Sequence, residues 1–469
     1  MWRRHRVPGT LALLALFTPL GGCGLAVNSV REGVENFRNS QLFHQGQHGE
    51  LTDQELEWAR TAWRYFENNY NSETGLTNMM DRYGVTSMWC VGDSLAALVA
   101  AEQLELIDKR RFDLRMSTLL GTLNRMDLFA GRVPNRLYDT ASAKMVGYDN
   151  QPAEIGWSAI DLGRLLIWLS AVAGHYPEYG EYAQKAMLRW SFCDVIGACG
   201  GLYSGAAVAD RIDLVQEGRL GYEEYAALGF ASWGFNTARA SSWEPYEQIT
   251  LYGIDLPRDA RDPRQTGTFA PVVSLPHLLA GLEFNWDRIR DTESSDARHS
   301  DAAWAQLAQK IYAVQEARWR NDRILTARTD NPLSAPPFFV YDAIHVAGYP
   351  WNTISDQGDV RNDLALVSSR AAFGLWALFK GDYSETLLKA VCTLNDPDRG
   401  WFEGRYEATG DHEKAISCTT NALVLEVLLY KSRGKLFKAP EQPTLLDLRA
   451  SNVFVPPGRC LPAERRSCT

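Results

Sequence analysis

Residues 156–174 read GWSAIDLGRLLIWLSAVAG, and this stretch decides the fold. It is apolar over several helical turns and is interrupted only by Asp161 and Arg164. A helix that is apolar on every side must be enclosed by other structure. Residues 94–106 have the same character, whereas residues 112–126 and 179–193 have one apolar face each. Buried and amphipathic helices therefore alternate along this part of the chain.

The series of expected helices continues at 223–238, 275–284, 301–320, 364–379, 383–394 and 419–431, and strand signals are scarce. Helices that alternate in this way predict two concentric layers, with the apolar helices inside. We therefore predict an all-α fold, an (α/α)6 six-hairpin toroid or barrel. Short β-hairpins or loops are expected at 132–138, 200–203 and 399–406. The alternative is an open superhelical solenoid, which the lack of a strict sequence repeat disfavours.

An N-terminal segment resembles the signal of a bacterial lipoprotein. Basic residues 3–6 precede an apolar core at 11–20 that is too short to span a bilayer. Residues 20–23, LGGC, then resemble a lipobox, so Cys23 is the expected lipidated residue. Gly24 follows where Asp would indicate retention at the inner membrane, which favours the outer membrane, facing the periplasm. An ordinary cleaved signal peptide with an incidental cysteine is the alternative.

The rest of the chain divides into three parts. Residues 24–48 form a polar tether, residues 49–436 form the toroid, and residues 437–469 form a Pro-rich C-terminal extension. The net charge is −9 and no long basic run occurs, which argues against a nucleic-acid partner. The 15 Trp and 19 Tyr residues exceed what a core needs, and such rings also form the walls of ligand clefts.

Seven cysteines remain besides Cys23, and export permits disulfides between them. The pairs expected from proximity or position are Cys193/Cys199, Cys460/Cys468 and Cys392/Cys418. Cys90 is then the candidate free thiol, although sequence alone does not fix the pairing. No CxxC or HExxH spacing occurs, so we predict no metal site and no cofactor.

In a helical toroid, the loops that enter the inner helices carry the ligand groups. Asp161 lies one turn inside an apolar helix, so its carboxylate must face the cleft or pair with Arg164 at i+3. Glu217, Glu223 and Glu224 precede or open the next apolar helix. Glu223 and Glu224 are adjacent, so both cannot face the cleft.

Aromatic and polar side chains at the helix entries are candidates for binding sugars. Rings provide flat stacking surfaces, and charged groups hold hydroxyls by hydrogen bonds. The candidates are Trp89, Asp93, Asp149, Trp157, Arg164, Tyr222, Trp233, Tyr341, Trp401 and Glu403. A helix cap or a core position is the alternative for several of them, Trp89 and Asp93 included.

Carboxylates amid aromatic residues, without a serine elbow, phosphate loop or metal motif, indicate glycoside hydrolysis. That reaction needs one protonated and one ionised carboxyl group, whose environments must separate their pKa values. Glu223 is the predicted general acid, with Glu217 as its rival, and Asp161 is the predicted base or substrate clamp. A non-catalytic polysaccharide-binding subunit of an export system is the alternative. A polysaccharide lyase with Tyr341 or His345 as base is a third possibility.

From about residue 51 to residue 434, the chain resembles a family of bacterial envelope proteins known as domain of unknown function 3131. Eight segments carry this resemblance. They are TSMWCVGDSLAALVAA (86–101), RVPNRLYD (132–139), GWSAIDLGRLL (156–166), QEGRLGYEEYAALGF (216–230), RILTARTDNP (323–332), PFFVYD (337–342), RGWFEGRYE (399–407) and TTNALVLEVLLY (419–430). The family is often encoded near exopolysaccharide machinery, which implies an exopolysaccharide and its export apparatus as partners. Typical members have Asp where this chain has Cys90, which argues against a catalytic role at that position.

Residues 158–163, SAIDLG, are also similar to the S-x-x-D-x-G inner helix of glycoamylase-like and β-1,2-glucanase families with six-hairpin toroids. Residues 221–222 and 274–276 are similar to later segments of those families. This resemblance implies that Asp161 contacts substrate near the scissile bond. It also implies that an acid after Gly221-Tyr222 takes part in proton transfer.

Overall fold

The computed structural model describes residues 46–209, 211–217, 220–243, 245–262, 269–289, 301–441 and 458–465. The lipobox with Cys23, most of the tether and most of the C-terminal extension lie outside these residues. Residues 46–48, which we had assigned to the tether, pack on the helical domain, since the Gln47 N–H donates to the Ala377 carbonyl at 2.7 Å.

Eleven α-helices lie in the described part of the chain, and six of them are buried on nearly every side. These six inner helices are α2 (Met88–Gln103), α4 (Ala159–His175), α6 (Tyr222–Ser232), α7 (Leu275–Phe284), α9 (Ser369–Leu378) and α11 (Cys418–Arg433). The five outer helices are α1 (Asp53–Asn68), α3 (Lys109–Leu123), α5 (Gly180–Leu188), α8 (Ala302–Asp322) and α10 (Asp382–Val391). The predicted alternation of buried and amphipathic helices is confirmed except between α6 and α7, which are consecutive inner helices in the described part of the chain.

The inner helices pack side by side in sequence order. Contacts run from α2 to α4, α6, α7, α9 and α11, and α11 contacts α2. Glycine allows the closest of these approaches. A Cβ atom on Gly163 of α4 would lie 2.5 Å from the Cβ of Ala226 in α6, and one on Gly229 would lie 2.1 Å from the Gly163 carbonyl oxygen. No side chain fits between α4 and α6 at this level.

Serine residues start three of the inner helices. Ser87, Ser158 and Ser417 precede α2, α4 and α11, and each hydroxyl accepts the backbone N–H three residues later at 3.2 Å. Such N-caps satisfy donors that the first helical turn leaves free. Local chemistry therefore sets the start of each of these helices. For α2 this start is Met88, six residues before the segment 94–106 expected from sequence, so Asp93 lies inside the helix and does not cap it.

The inner helices begin at the same end of the domain, which we call the mouth. A disulfide joins Cys90 to Cys418 in the first turns of α2 and α11. The ring of Trp89, in α2, contacts that of Tyr222, which opens α6. The carbonyl of Glu403 accepts the first N–H of α9, while its side chain accepts the hydroxyl just before α11. The first turns of different inner helices are thereby brought together.

Short antiparallel strands connect the helices near the mouth. The strands are β1 (Val85–Ser87), β2 (Leu137–Asp139), β3 (Gly156–Trp157), β4 (Tyr203–Val208), β5 (Arg211–Gln216), β6 (Tyr246–Leu251), β7 (Ile254–Asp259), β8 (Asp330–Pro332), β9 (Phe339–Asp342), β10 (His345–Val346), β11 (Tyr349–Pro350), β12 (Thr353–Ser355), β13 (Leu366–Ser368), β14 (Asn395–Asp396), β15 (Gly400–Trp401), β16 (Gly404–Tyr406) and β17 (His412–Glu413). Three sheets have three strands, in the orders β3-β4-β5, β12-β9-β8 and β13-β16-β17, and the others are pairs.

Two hairpins are longer than the sequence indicated. β4 pairs with β5 over six residues, and β6 pairs with β7 over six residues between α6 and α7. The helix expected at 223–238 ends at Ser232, and the described connection to α7 contains this hairpin instead of an outer helix.

The cysteine pairing predicted from sequence is wrong. Cys90 is bonded to Cys418, and Cys193 is bonded to Cys460 of the C-terminal extension. Cys392 carries the free thiol that we assigned to Cys90. The bonded partners are 328 and 267 residues apart, so only the tertiary fold brings them together.

Candidate functional site

Aromatic rings line the centre of the mouth. Trp89 is half-buried, and its ring centroid lies 5.9 Å from that of Tyr222 and 6.1 Å from that of Tyr225. The Tyr222 hydroxyl donates to Oδ1 of Asp330 at 2.6 Å, which links α6 to β8. Trp89 and Tyr222, both predicted to contact sugar, form an aromatic floor in which Tyr222 is only 5% exposed and Trp89 provides the accessible ring surface.

Glu223 lies beside this floor in the first turn of α6 and is buried. Its carboxylate accepts hydrogen bonds from Nε2 of Gln216 at 2.7 Å and from Nη1 of Arg261 at 3.1 Å. Burial raises the pKa of Glu223 to about 7, although Arg261 and Gln216 lower it. A carboxyl group with this pKa is partly protonated at neutral pH, as a general acid requires.

The neighbouring Glu224 has different partners. Its Oε2 accepts the Gly221 N–H at 2.5 Å, and burial, together with the charge of Glu223, raises its pKa to about 8. Gly221 has a φ of 99°, which glycine adopts readily. Glu224 thus holds the turn that precedes Glu223, and the two adjacent carboxyl groups have different hydrogen-bond partners.

Asp161 occupies the first turn of α4, next to α6, and is half-buried. Its Oδ1 accepts the Ser158 hydroxyl at 3.3 Å. A carboxylate in the first turn of a helix is stabilised in its ionised form by the helix dipole. Asp161 and Glu223 therefore both lie in the first turns of neighbouring inner helices.

Glu217 is buried and holds the start of α4. Its Oε2 accepts the Ile160 N–H at 3.1 Å, and its Oε1 accepts the Ser204 hydroxyl. Both oxygens of Glu217 therefore have protein partners, as both oxygens of Glu223 do, and the preference for Glu223 as the proton donor rests on its raised pKa.

Arg164 and Asp93 do not line the cleft as expected, since each is 1% exposed. Arg164 donates to Asp93 at 3.0 Å, to the Tyr225 hydroxyl at 2.6 Å, and to Glu283 and Glu426. We call these five residues the central cluster. Its carboxylates come from α2, α7 and α11, and its tyrosine comes from α6. The cluster therefore ties four inner helices to α4. The expected pairing of Arg164 with Asp161 is replaced by this cluster.

Four further candidates serve the core rather than the cleft, because they are at most 2% exposed. The indoles of Trp157, Trp233 and Trp401 donate to the backbone carbonyls of Tyr203, Leu166 and Trp58, respectively. Glu403 accepts the hydroxyls of Ser417 and Thr420 at the start of α11. Substrate contact from these side chains would need the core to open, which corrects our expectation for them.

Asp149 and Tyr341 lie outside the central floor. Asp149 is exposed on a loop. Tyr341 is half-buried on β9, opposite Asp330 of β8, and its ring centroid lies 5.2 Å from that of Phe339. Tyr341 is therefore the sheet neighbour of Asp330, whose carboxylate accepts the hydrogen bond from the Tyr222 hydroxyl. The predicted substrate contact of Tyr341 is therefore compatible with its position.

The start of α9 is a polar region that the sequence reasoning missed. Arg370 is 3% exposed and donates to the backbone carbonyl of Asp330. Four buried polar atoms here have no hydrogen-bond partner among the described residues: Nε of Arg370, Oγ of Ser368, Oγ of Ser369 and Oδ1 of Asn331. The Ser-Ser-Arg sequence directly before an apolar helix was the signal available for it.

Among the described residues, no three His, Cys, Asp or Glu side chains converge as metal ligands would. None of the helices in the described part is both long enough and apolar enough to cross a membrane.

Several solved structures share this fold at low sequence identity. A glucoamylase-like protein from Bacteroides fragilis superposes with a TM-score of 0.60 at 14% identity, covering 85% of this chain and 96% of the other. An endo-β-1,2-glucanase from Chitinophaga pinensis, solved with sophorotriose and glucose, has a TM-score of 0.59 at 12% identity, covering 82% and 94%. An endo-β-1,2-glucanase from Talaromyces funiculosus, solved with β-1,2-glucan, has a TM-score of 0.51 at 12% identity, covering 82% and 84%. These likenesses establish the fold.

No curated protein matches the chain in sequence. A family model does match it, over residues 57–434, and its description is "Protein of unknown function (DUF3131)". The matched range contains the eight segments that carry the resemblance noted from sequence. It also contains all six inner helices in full. The chain therefore belongs to the DUF3131 family.

Proposed function

We propose that the chain is a glycoside hydrolase that cleaves a glucan or bacterial exopolysaccharide at the mouth of an (α/α)6 toroid. Glu223 is the general acid, and Asp161 is the base or the group that holds the substrate. Trp89 and Tyr222 provide the stacking surface for a sugar ring.

One observation carries this proposal. Two carboxyl groups occupy the first turns of neighbouring inner helices, and their environments differ in the way that the reaction requires. Glu223 is buried with its pKa raised to about 7, whereas Asp161 is half-buried at a helix start that favours its ionised form. Glycoside hydrolysis uses such a pair across the scissile bond.

The surroundings support the assignment. The cycle of inner-helix contacts from α2 to α11 and back to α2 supports a closed toroid. Structures of the same fold include endo-β-1,2-glucanases solved with β-1,2-linked sugars, which makes a β-1,2-glucan the first substrate to try. Trp89, whose ring contacts Tyr222 directly before Glu223, offers a surface on which a pyranose ring can stack.

A product screen tests the proposal. The protein is incubated with β-1,2-glucan, amino-sugar polymers and other bacterial exopolysaccharides, and the products are identified by mass spectrometry. We expect oligosaccharides from one polymer, and Asp161→Asn and Glu223→Gln should each lower turnover about 100-fold or more. Glu57→Gln, on the exposed face of α1, is the matched control. Near-normal turnover in both folded variants would overturn the assignment, and binding without products would indicate a polysaccharide-binding subunit.

We further propose that Cys23 is lipidated and that the lipid holds the protein at the outer membrane, facing the periplasm, near exopolysaccharide export machinery. The LGGC sequence supports this proposal. Metabolic labelling with palmitate should modify the wild-type chain and not Cys23→Ala. Labelling of both would contradict it.

A further inference from the structure

A cavity lies between the β6–β7 hairpin and α8. Its volume is about 160 Å³, which is enough for a sugar ring. It is lined by Trp243, Tyr246, Gln248, Pro257, Ala303, Gln306, Leu307 and Lys310. The mouth residues discussed above are not among these, so the cavity is separate from the proposed catalytic site.

The lining combines ring surface with hydrogen-bonding groups. Tyr246 and Gln248 alternate on β6, so their side chains lie on one face of the hairpin, and Pro257 pairs with Gln248 across it. Gln306 and Lys310 lie four residues apart on α8 and therefore on one side of that helix. Two antiparallel strands and one helix thus present a tyrosine ring, two amides and one ammonium group to the same space.

Trp243 supplies an observation independent of the cavity itself. Its ring stacks on His277 at 6.3 Å and meets Trp304 edge-on at 5.4 Å, so its position is fixed by packing. Trp243 thus contributes a ring of fixed position to the cavity wall.

Rings for stacking, with amides and an ammonium group for hydroxyl oxygens, are the chemistry that recognises a sugar. We propose that this cavity is a second carbohydrate-binding site, which holds a sugar unit of the polymer outside the catalytic mouth. The choice of polymer rests on the proposed function. Tyr246, at 41% exposure, makes the cavity accessible from solvent.

Fluorine NMR of the full chain labelled with 5-fluorotryptophan tests the two sites separately. Trp243→Phe and Trp89→Phe assign the signals of the cavity and of the mouth. The probes are β-1,2-linked gluco-oligosaccharides, N-acetylglucosamine oligomers and galacturonic acid oligomers. We expect the Trp243 signal to shift with one of these, and Tyr246→Ala and Gln306→Ala each to raise the Kd read from that signal at least fivefold. Gln54→Ala, an exposed glutamine on α1, is the matched control and should leave the Kd unchanged.

The outcomes separate this inference from the proposed function. If the Trp89 signal shifts while the Trp243 signal stays fixed, the cavity is not a sugar site and the proposed function stands. If only the Trp243 signal shifts, the cavity binds sugar and the mouth assignment fails. A fixed Trp243 signal with every probe overturns the inference, and so does a Trp243 shift that Tyr246→Ala and Gln306→Ala leave unchanged.

Discussion

Arg261 donates a hydrogen bond from Nη1 to Oε2 of Glu223 at 3.1 Å, although the two residues lie 38 positions apart. Its Nη2 donates to Oδ2 of Asp259, at the end of β7, at 2.6 Å. The β6–β7 hairpin therefore fixes a cation against the proposed general acid. Burial raises the pKa of Glu223 and this cation lowers it, and the balance lies at about 7.

Replacing Arg261 should consequently change the pH dependence of the reaction. Arg261→Gln removes a positive charge that favours the ionised form of Glu223, so the pKa of Glu223 rises above about 7. We expect the alkaline limb of the kcat/KM profile to move up by roughly one pH unit. Arg258→Gln, which changes an arginine paired with Glu247 on the same hairpin, is the control. An alkaline limb that stays in place, or that moves to lower pH, would show that Glu223 is not the group that titrates.

Glu224 should make the folded state less stable at alkaline pH. Its folded pKa of about 8 lies above its ordinary value of 4.5, so the folded protein binds the extra proton and stability is lost as pH rises from about 4.5 through 8. Glu224→Gln retains an oxygen for the Gly221 N–H but cannot ionise. Urea unfolding should show that the variant gains stability relative to wild type between pH 5 and pH 9, on the order of 3 kcal/mol. An equal difference from wild type at both pH values would contradict this prediction.

The central cluster should be sensitive to loss of its only cation. Arg164→Met leaves Asp93, Glu283 and Glu426 buried without a counter-charge, and burial already raises the pKa of Glu426 well above its usual value. We expect the free energy of unfolding to fall by about 3–5 kcal/mol. Arg60→Met, which breaks an exposed pair with Glu57, should change it by less than about 1 kcal/mol. A similar small effect in both variants would mean that the carboxyl groups of the cluster are all neutral.

The Cys90–Cys418 disulfide should stabilise the contact between the first and last inner helices. It spans 328 residues of chain, so it restricts the unfolded state strongly. Cys90→Ala combined with Cys418→Ala should lower the free energy of unfolding by about 2–5 kcal/mol. Cys392→Ala, which removes the free thiol, serves as control and should have little effect. Equal unfolding midpoints for the double variant and Cys392→Ala would refute the role of the disulfide.

Sequence periodicity was sufficient to predict the helices because each helix is specified by its own side chains. The segment 275–284 was predicted with both ends correct, since Ser274 and Pro276 mark its start and Asn285 its left-handed end. The double layer followed from which helices are apolar on all sides. The β6–β7 hairpin was missed because its strands are short and largely exposed, with little apolar alternation.

The site was predicted less well because its chemistry depends on contacts distant in sequence. Arg164 was expected to pair locally with Asp161, but its partners are 71, 119 and 262 residues away. The sequence around Arg164 contains no signal that carboxyl groups from α2, α7 and α11 will surround its side chain. Burial is likewise a property of the assembled core, so the sequence could not separate Trp89 at the mouth from Trp401 in the core.

That distinction gives the last prediction. Trp89 is half-buried at the mouth, whereas Trp401 is 0% exposed and packs against Trp58 and Phe373. Trp89→Ala should weaken binding of the substrate polymer about tenfold, because stacking on an aromatic ring contributes roughly 1 kcal/mol or more. Trp89→Ala should lower the unfolding midpoint less than Trp401→Ala does.

Trp401→Ala should instead leave a cavity beside Phe373 and lower the free energy of unfolding by about 3–5 kcal/mol. The fraction that remains folded should bind the polymer with wild-type affinity, since Trp401 has no surface at the mouth. Calorimetric binding and urea unfolding of both variants measure the two effects. A loss of affinity in folded Trp401→Ala, with Trp89→Ala unchanged, would move the sugar-binding surface from the start of α2 to β15 and would require a different position for the cleft.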